Sequence, residues 1–528
     1  MSAVADGERA ATPAAPGWLG GVERLGNALP DPIALFAGGA ALVFLASWLA
    51  ARAGWTCTFG DEHGTVLRSE TARNLLSAEG LRWLATNLVS IFVQFRPLGL
   101  VLCVSIGVAV AERSGLIATA LRAALTYVPL SLLTPVTVLV GILSTLAADA
   151  GFIVLPPLAA AVYSSVGRSP LIGIAAVTAG VSMGFGSNVF LTTQDPMLSG
   201  LTEQAAQLLD KTYTVDPACN WYFKIASTIV LVLTGWLVTA RWVEPAFLRR
   251  RGAPSVTPAP VVDGFAAPIA PRERSGLVLA LGATLVLLAL LLASALTPGG
   301  FLHDAPPAAG AAAATPTWIA SIVALLVLLF LVPGLVYGIR VGTIRSSRDV
   351  ARMMGEYLGQ LGGYVVMAFF AAILVAAFER SNLGVMLAIA GGNELRALDL
   401  PRWTLFLALI LLSSSIDLVV VSMSAKWALL ATVVVPMFMT LGISPELTQA
   451  TYRIGDSITN PISPLNPYLY VVLAIMRRHE PSCGFGTMLA LLLPYSVAFG
   501  VVWIALLMVW IAGGWPLGPD GPLVYPPG

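Results

Sequence analysis

The chain has 528 residues, of which 57% are hydrophobic and only 11% charged, with a formal net charge of +1. A soluble domain carries about 25% charged residues, so an ordinary water-soluble fold is excluded and the lipid bilayer becomes the solvent for most of the surface. The near-neutral charge gives no argument for a nucleic-acid partner, and none is expected.

In chain order, residues 1–30 are rich in Ala, Pro and Gly and lack the apolar core of a cleavable signal peptide. They are read as a cytoplasmic N-terminal segment, followed by a membrane domain over 31–513 and a tail over 514–528. Runs long enough to span lie at about 32–51, 84–111, 170–199, 219–243, 275–296, 317–339, 361–380, 447–476 and 486–513, by the length a bilayer requires. Two further apolar stretches, 132–165 and 402–441, are too long for one helix. Polar and small residues interrupt them at Ser144–Gly151 and at Ser422–Trp427. Both are predicted to be re-entrant helical hairpins, a backbone tolerated at membrane depth only where it is buried or lines a cavity.

Loop charges support this threading. Arg249, Arg250, Arg251, Arg272 and Arg274 share one loop, Arg340, Arg345, Arg348 and Arg352 another, and Arg477 and Arg478 a third, whereas 297–316 holds no Lys or Arg. With the N-terminus inside, every basic loop is cytoplasmic, as the positive-inside rule requires, and the C-terminus is periplasmic.

An internal repeat is visible over about 84–243 and 361–513. Glu112-Arg113-Ser114 closes one span and Glu379-Arg380-Ser381 another. A broken stretch follows each, with Ser144 to Pro156 and Ser424 to Pro436 at the same interval; both prolines read as helix kinks. Beyond each lies a span interrupted around an asparagine, at Gly184–Asn188 and at Ser457–Pro461. The threading puts the two Glu-Arg-Ser ends on opposite sides. Inverted repeats with discontinuous helices are a signature of secondary transporters. The all-α chain is therefore expected to hold about nine transmembrane helices and two re-entrant hairpins. The uninterrupted spans at 219–243, 275–296 and 317–339 are the expected scaffold.

Charges inside the spans mark the candidate site, because each costs at least ~2.5–3.5 kcal/mol at a bilayer centre. These are Asp149, Asp195, Asp417, Lys426, Arg453 and Asp456. Arg453 and Asp456 lie three apart and are predicted to pair on one helix face. In the functional reading Arg453 or Lys426 receives an anionic substrate, while Asp195 or Asp456 carries a coupling proton. Asp417 is read as lying near the mouth of the second hairpin, outside the site. Unwound segments expose carbonyls and half-helix N-termini, so Ser187, Asn188, Thr459 and Asn460 could hold a substrate carboxylate or, at the two asparagines, a sodium ion. His63, His303 and His479 are scattered through loops, which excludes a histidine-rich metal site, and no cofactor is expected. Cys57 and Cys219 both fall in predicted external loops, where either a disulfide or two free thiols fits the threading.

The stretches Gly21–Asn27 with Pro30-Asp31-Pro32, Ala147–Gly151, Ser424-Ala425-Lys426-Trp427 and Tyr452–Asn460 resemble the AbgT family of p-aminobenzoyl-glutamate transporters and antimetabolite exporters, over about 20–513. The resemblance implies a homodimer in a bacterial inner membrane, with nine spans and two hairpins per subunit. It implies transport of p-aminobenzoyl-glutamate or related folate catabolites, or proton-driven export of sulfonamide antimetabolites. It also implies functional positions at Asp195, Ser424, Trp427, Pro445, Arg453 and Asp456. Trp427 could stack on an aminobenzoyl ring or seal the hairpin by packing. A sodium-coupled dicarboxylate transporter is the alternative. An intramembrane enzyme is disfavoured, since no HExxH and no histidine at membrane depth is present.

Overall fold

The computed structural model describes residues 32–60, 66–126, 128–146, 151–251, 269–304, 317–418, 420 and 422–525. Helix α1 (Pro32–Arg52) leads to a two-stranded antiparallel hairpin, β1 (Thr56–Gly60) and β2 (Val66–Thr71), in which Cys57 opposes Glu70. Next come α2 (Ala78–Val93), α3 (Arg96–Arg113) and a short α4 (Leu116–Thr126). The first hairpin is α5 (Leu133–Leu143) and α6 (Gly151–Ser165), and the first broken span is α7 (Pro170–Met183) and α8 (Gln194–Ala206). Helix α9 (Trp221–Val238) runs through a π-turn into α10 (Glu244–Arg251). Between the halves lie α11 (Pro271–Leu296), the single turn α12 (Thr317–Ala320) and α13 (Ile322–Val341).

The second half repeats this order. It holds α14 (Ser347–Gln360), α15 (Gly362–Ser381), a short α16 (Leu383–Ala397), the hairpin α17 (Arg402–Asp417) and α18 (Met423–Met439), the broken span α19 (Pro445–Thr459) and α20 (Pro467–His479), and α21 (Phe485–Ala512). Among the described residues seven helical stretches are long and apolar enough to cross a bilayer. The spans expected at 170–199 and 447–476 are each two half-helices, and each stretch expected to form a hairpin holds two helices, the turn of the first lying outside the described residues. The short helices α4 and α16, which follow each Glu-Arg-Ser, were not anticipated.

Local chemistry explains the boundaries. The Ser444 side chain accepts from the Leu447 amide at 3.1 Å, and Pro445 occupies the first turn of α19, where its missing N–H is no loss. Asn466 caps α20 through the Tyr468 amide at 3.1 Å, followed at once by Pro467. Pro97 in the first turn of α3 accounts for the interruption between α2 and α3.

Packing divides the chain in two. The arms α5 and α6 pack on α7, and α17 packs on α19. The second arm of each hairpin then crosses to the other repeat, α6 onto α20 and α18 onto α8. Helix α5 approaches α7 at backbone contact: a Cβ on Gly180 would lie 2.4 Å from the Val138 carbonyl oxygen, so only glycine fits. Outside this unit, α13 packs on α3 and α11, α14 on α3, and α1 and α2 on α15. Helix α11 is buried only at Gly276 and Ala280 and exposes Val278, Leu281, Leu285 and Leu290, as a lipid-facing helix does.

The run at 219–243 does not join the other two scaffold candidates. Its helix, α9, packs on α5 and α21, within the hairpin unit. Phe185, in the first break, touches both large apolar cores, so this break sits on the seam between them. Cys57 and Cys219 are both free thiols, Cys219 fully buried.

Candidate functional site

Each break is stitched to the hairpin of its own repeat. In the first, the Asn188 amide donates to the Ile142 carbonyl at 3.1 Å and to Thr145 Oγ1 at 3.0 Å, and Thr145 Oγ1 lies 3.0 Å from the Gly184 carbonyl. Ser187 donates to the Met183 carbonyl at 2.9 Å. In the second, Thr459 Oγ1 donates to Asp417 Oδ2 at 2.8 Å and Ser463 Oγ to the Asp417 carbonyl at 3.1 Å. Asn460, at the C-cap of α19, accepts from the Asn466 amide at 3.3 Å through its carbonyl. These bonds satisfy backbone groups that the broken helices leave open, which at membrane depth must be met internally.

The breaks also meet each other. A Cβ on Gly186 would lie 2.5 Å from Ser457 Oγ and 2.8 Å from the Arg453 carbonyl. Gly186→Ala is therefore expected to push α19 away from the first break, at about 1–3 kcal/mol for forced overpacking. A lower melting temperature together with reduced flux would show this; unchanged flux would mean that the crossing tolerates displacement.

Two charged triads lie at this crossing. In the first, Asp195 in the first turn of α8 holds Lys224 Nζ at 2.7 Å from both carboxylate oxygens, and Arg453 Nη2 at 2.8 Å from Oδ1. The Thr192 amide (2.7 Å) and hydroxyl (3.1 Å) donate to Oδ2. In the second, Lys426 Nζ pairs with Asp417 and, at 2.6 Å, with Asp456 Oδ1. Tyr452 OH lies 3.1 Å from Asp456 Oδ1 and 2.7 Å from the Met423 carbonyl. All six charged side chains are buried to within 2% exposure, where an unpaired charge would cost several kcal/mol.

The expected Arg453–Asp456 pair is not made. Each residue reaches a different triad, because each has a partner on another helix that is desolvated with it. Asp417, read from the sequence as outside the site, is a member of the second triad, paired with its central Lys426. Lys224 was missed altogether; the only signal was a lysine in the second turn of an apolar span. The first triad has two cations for one carboxylate and the second two carboxylates for one cation. One thus carries a formal excess positive charge, the other an equal negative one, joined through α19.

Not every donor and acceptor is used. Arg453 Nε and Nη1, Asp456 Oδ2 and Ser457 Oγ are buried and find no hydrogen-bond partner among the described residues. Beside them, Trp427 stacks on Tyr452 with centroids 4.5 Å apart. Trp427 Nε1 donates to Thr202 Oγ1 at 2.8 Å, which donates to Gln449 Oε1 at 2.6 Å. Gln449 Nε2 continues to Asn220 at 2.9 Å. Trp427 is fully buried, so in this conformation the indole seals the second hairpin against α8 and α19.

Of the remaining candidates, Ser424 is half-buried, 3.4 Å from the Ser422 hydroxyl, and Pro445 opens α19, four turns of backbone hydrogen bonding before its break. Asp149 lies outside the described residues, as does the 21–27 stretch. No cluster of three or more His, Cys, Asp or Glu suited to a metal occurs among the described residues.

Comparison with known proteins places this architecture. Residues 17–525 match the AbgT putative transporter family. The p-aminobenzoyl-glutamate transport protein of Escherichia coli (strain K12) is 33% identical over 512 residues, covering 97% of this chain and 96% of that one. The YdaH transporter of Alcanivorax borkumensis superposes with a TM-score of 0.85 at 37% identity, over 93% of this chain and all of that one. The structure of Neisseria gonorrhoeae MtrF, described as illuminating a class of antimetabolite efflux pumps, gives a TM-score of 0.85 at 38% identity, over 96% of this chain and all of that one.

Proposed function

The chain belongs to the AbgT putative transporter family, and on that premise we propose that it moves p-aminobenzoyl-glutamate or a related folate catabolite across a bacterial inner membrane, coupled to protons. Sulfonamide antimetabolites, which carry the same aminobenzene ring, are the proposed export cargo of the same route. The observation that carries this reading is Arg453. Its guanidinium is buried, touches Asp195 through one nitrogen, and keeps two further nitrogens without a partner; the neighbouring residue on α19, Tyr452, stacks on Trp427. A planar five-donor fork suits a carboxylate, and a ring adjoining the aromatic pair adds roughly 0.5–1.5 kcal/mol. The family's relatives supply the substrate class, since the Escherichia coli protein is named for p-aminobenzoyl-glutamate transport.

The opposite charge of the two triads supports coupling. One substrate carboxylate joining the first and a cation joining the second would neutralise both, which lowers the electrostatic cost of carrying the two together. Asp456 is the proposed ion-coupling carboxylate; Asp195, expected from the sequence to share that role, is proposed instead as the counter-charge of the substrate-receiving triad. Ser187, Asn188, Ser424, Lys426, Trp427, Arg453, Thr459 and Asn460 form the proposed substrate enclosure. The hairpins and broken spans would move against a scaffold of α3, α11 and α13 in a homodimer, giving alternating access.

The test is flux of p-aminobenzoyl-glutamate in proteoliposomes under a pH gradient or a sodium gradient imposed separately. Flux that follows the pH gradient is the expected result. Sodium-driven uptake of a dicarboxylate, with no flux of p-aminobenzoyl-glutamate, would replace this reading with that of a dicarboxylate transporter.

A further inference from the structure

Asp195 is neutralised without Arg453, whereas Arg453 has more donors than acceptors. A carboxylate offers about four lone-pair sites. Lys224 Nζ takes one on each oxygen, and the Thr192 amide and hydroxyl both donate to Oδ2. Oδ2 is thus filled and Asp195 neutralised before Arg453 is counted, and only the second site on Oδ1 depends on the guanidinium. Arg453 contributes only Nη2, to Oδ1, while its Nε and Nη1 remain without a partner. Lys224 has no such freedom: it is 1% exposed, and its chelation of both oxygens anchors α9 to α8.

We propose that Lys224 is the positioning residue that makes Arg453 available to substrate. In this triad Asp195 holds the place of the substrate's carboxylate on Arg453. When a substrate arrives, Arg453 turns its fork to the incoming carboxylate and Asp195 stays paired with Lys224. Two charges are thus never left bare in the low-dielectric interior, where breaking a pair is strongly unfavourable. Lys224 also supplies the excess positive charge of the triad, so that an anion enters a site of net attraction rather than one already neutral. It does not touch the substrate itself.

Charge arithmetic separates this role from a purely structural one. Lys224→Met leaves Asp195 dependent on Arg453, so the triad becomes neutral and the guanidinium is captured. Adding Asp195→Asn removes the captor and restores the single positive charge on Arg453. The proposal rests on the carboxylate-substrate reading given above. Binding is measured at equilibrium on the purified full-length protein in detergent, first with p-aminobenzoyl-glutamate and then with succinate. The proteins are wild type, Lys224→Met, Lys224→Arg and the double variant Lys224→Met with Asp195→Asn, with melting temperature recorded for each.

Lys224→Met is expected to weaken binding by about tenfold or more. Lys224→Arg should stay within about threefold of wild type, and the double variant should recover to that range. A double variant that binds no tighter than Lys224→Met, or a Lys224→Met that binds like wild type, would overturn the proposal. If wild type binds succinate and not p-aminobenzoyl-glutamate, the substrate reading fails, and the same comparison made with succinate still decides the role of Lys224. A double variant that remains weak while melting like wild type would count directly against capture of Arg453.

Discussion

Arg453→Ala is expected to abolish flux of p-aminobenzoyl-glutamate while the protein still folds and inserts. Folding survives because Asp195 keeps Lys224 and both Thr192 donors, so no carboxylate of the first triad is left unpaired. Binding does not survive, because the site loses the one charged group in it that, among the described residues, has buried, unpartnered N–H donors. Truncating a hydrogen-bonded charge in a desolvated site costs about 2–5 kcal/mol, roughly thirtyfold to a few thousandfold in affinity. Arg453→Lys keeps the charge and loses the fork; it should raise KM about tenfold or more with a smaller change in Vmax. Initial-rate measurements in proteoliposomes check both. Wild-type flux in Arg453→Ala would remove Arg453 from the site.

Lys426→Met should have the largest effect on stability. Lys426 holds Asp417 at the end of the first arm of the second hairpin and Asp456 in α19, and all three side chains are fully buried. Without it two carboxylates face each other with no cation between them. Breaking a buried pair in this way costs about 3–5 kcal/mol, a large share of the 5–15 kcal/mol that separates a typical folded protein from its unfolded state. The expected result is little protein recovered from the membrane, and a sharply lowered melting temperature for what is recovered. Asp417→Asn is the informative partner experiment. It leaves Lys426 with Asp456, so the triad becomes neutral and the protein should fold, yet the excess negative charge proposed to receive the coupling cation is gone. Flux in this variant should no longer follow an imposed pH gradient. If Asp417→Asn couples like wild type, the second triad is structural.

Much of the architecture was legible along the chain. The all-helical membrane character, the paired helices on either side of Ser144–Gly151 and Ser422–Trp427, and the broken helices at Gly184–Asn188 and Ser457–Pro461 follow from apolar run length and helix-breaking residues. Less legible were α4 and α16, which are too short to read as spans, and the placement of α9. Its uninterrupted apolar run looked like scaffold, yet it packs on α5 and α21 and delivers Lys224.

The sequence by itself determined that this chain crosses a membrane, where it bends, and which residues bring five of the six triad charges into the interior, Lys224 being the exception. Run length, helix propensity and the cost of burying a charge are local properties of a segment, so a linear reading captures them. Only the tertiary structure decided which charge meets which. Spacing on one helix favours Arg453 with Asp456, three residues apart, but Arg453 binds Asp195, 258 residues away, and Asp456 binds Lys426 on the neighbouring hairpin. In a buried site a charge pairs with whatever opposite charge is desolvated beside it, and the crossing of two repeats, rather than proximity in sequence, sets who that neighbour is.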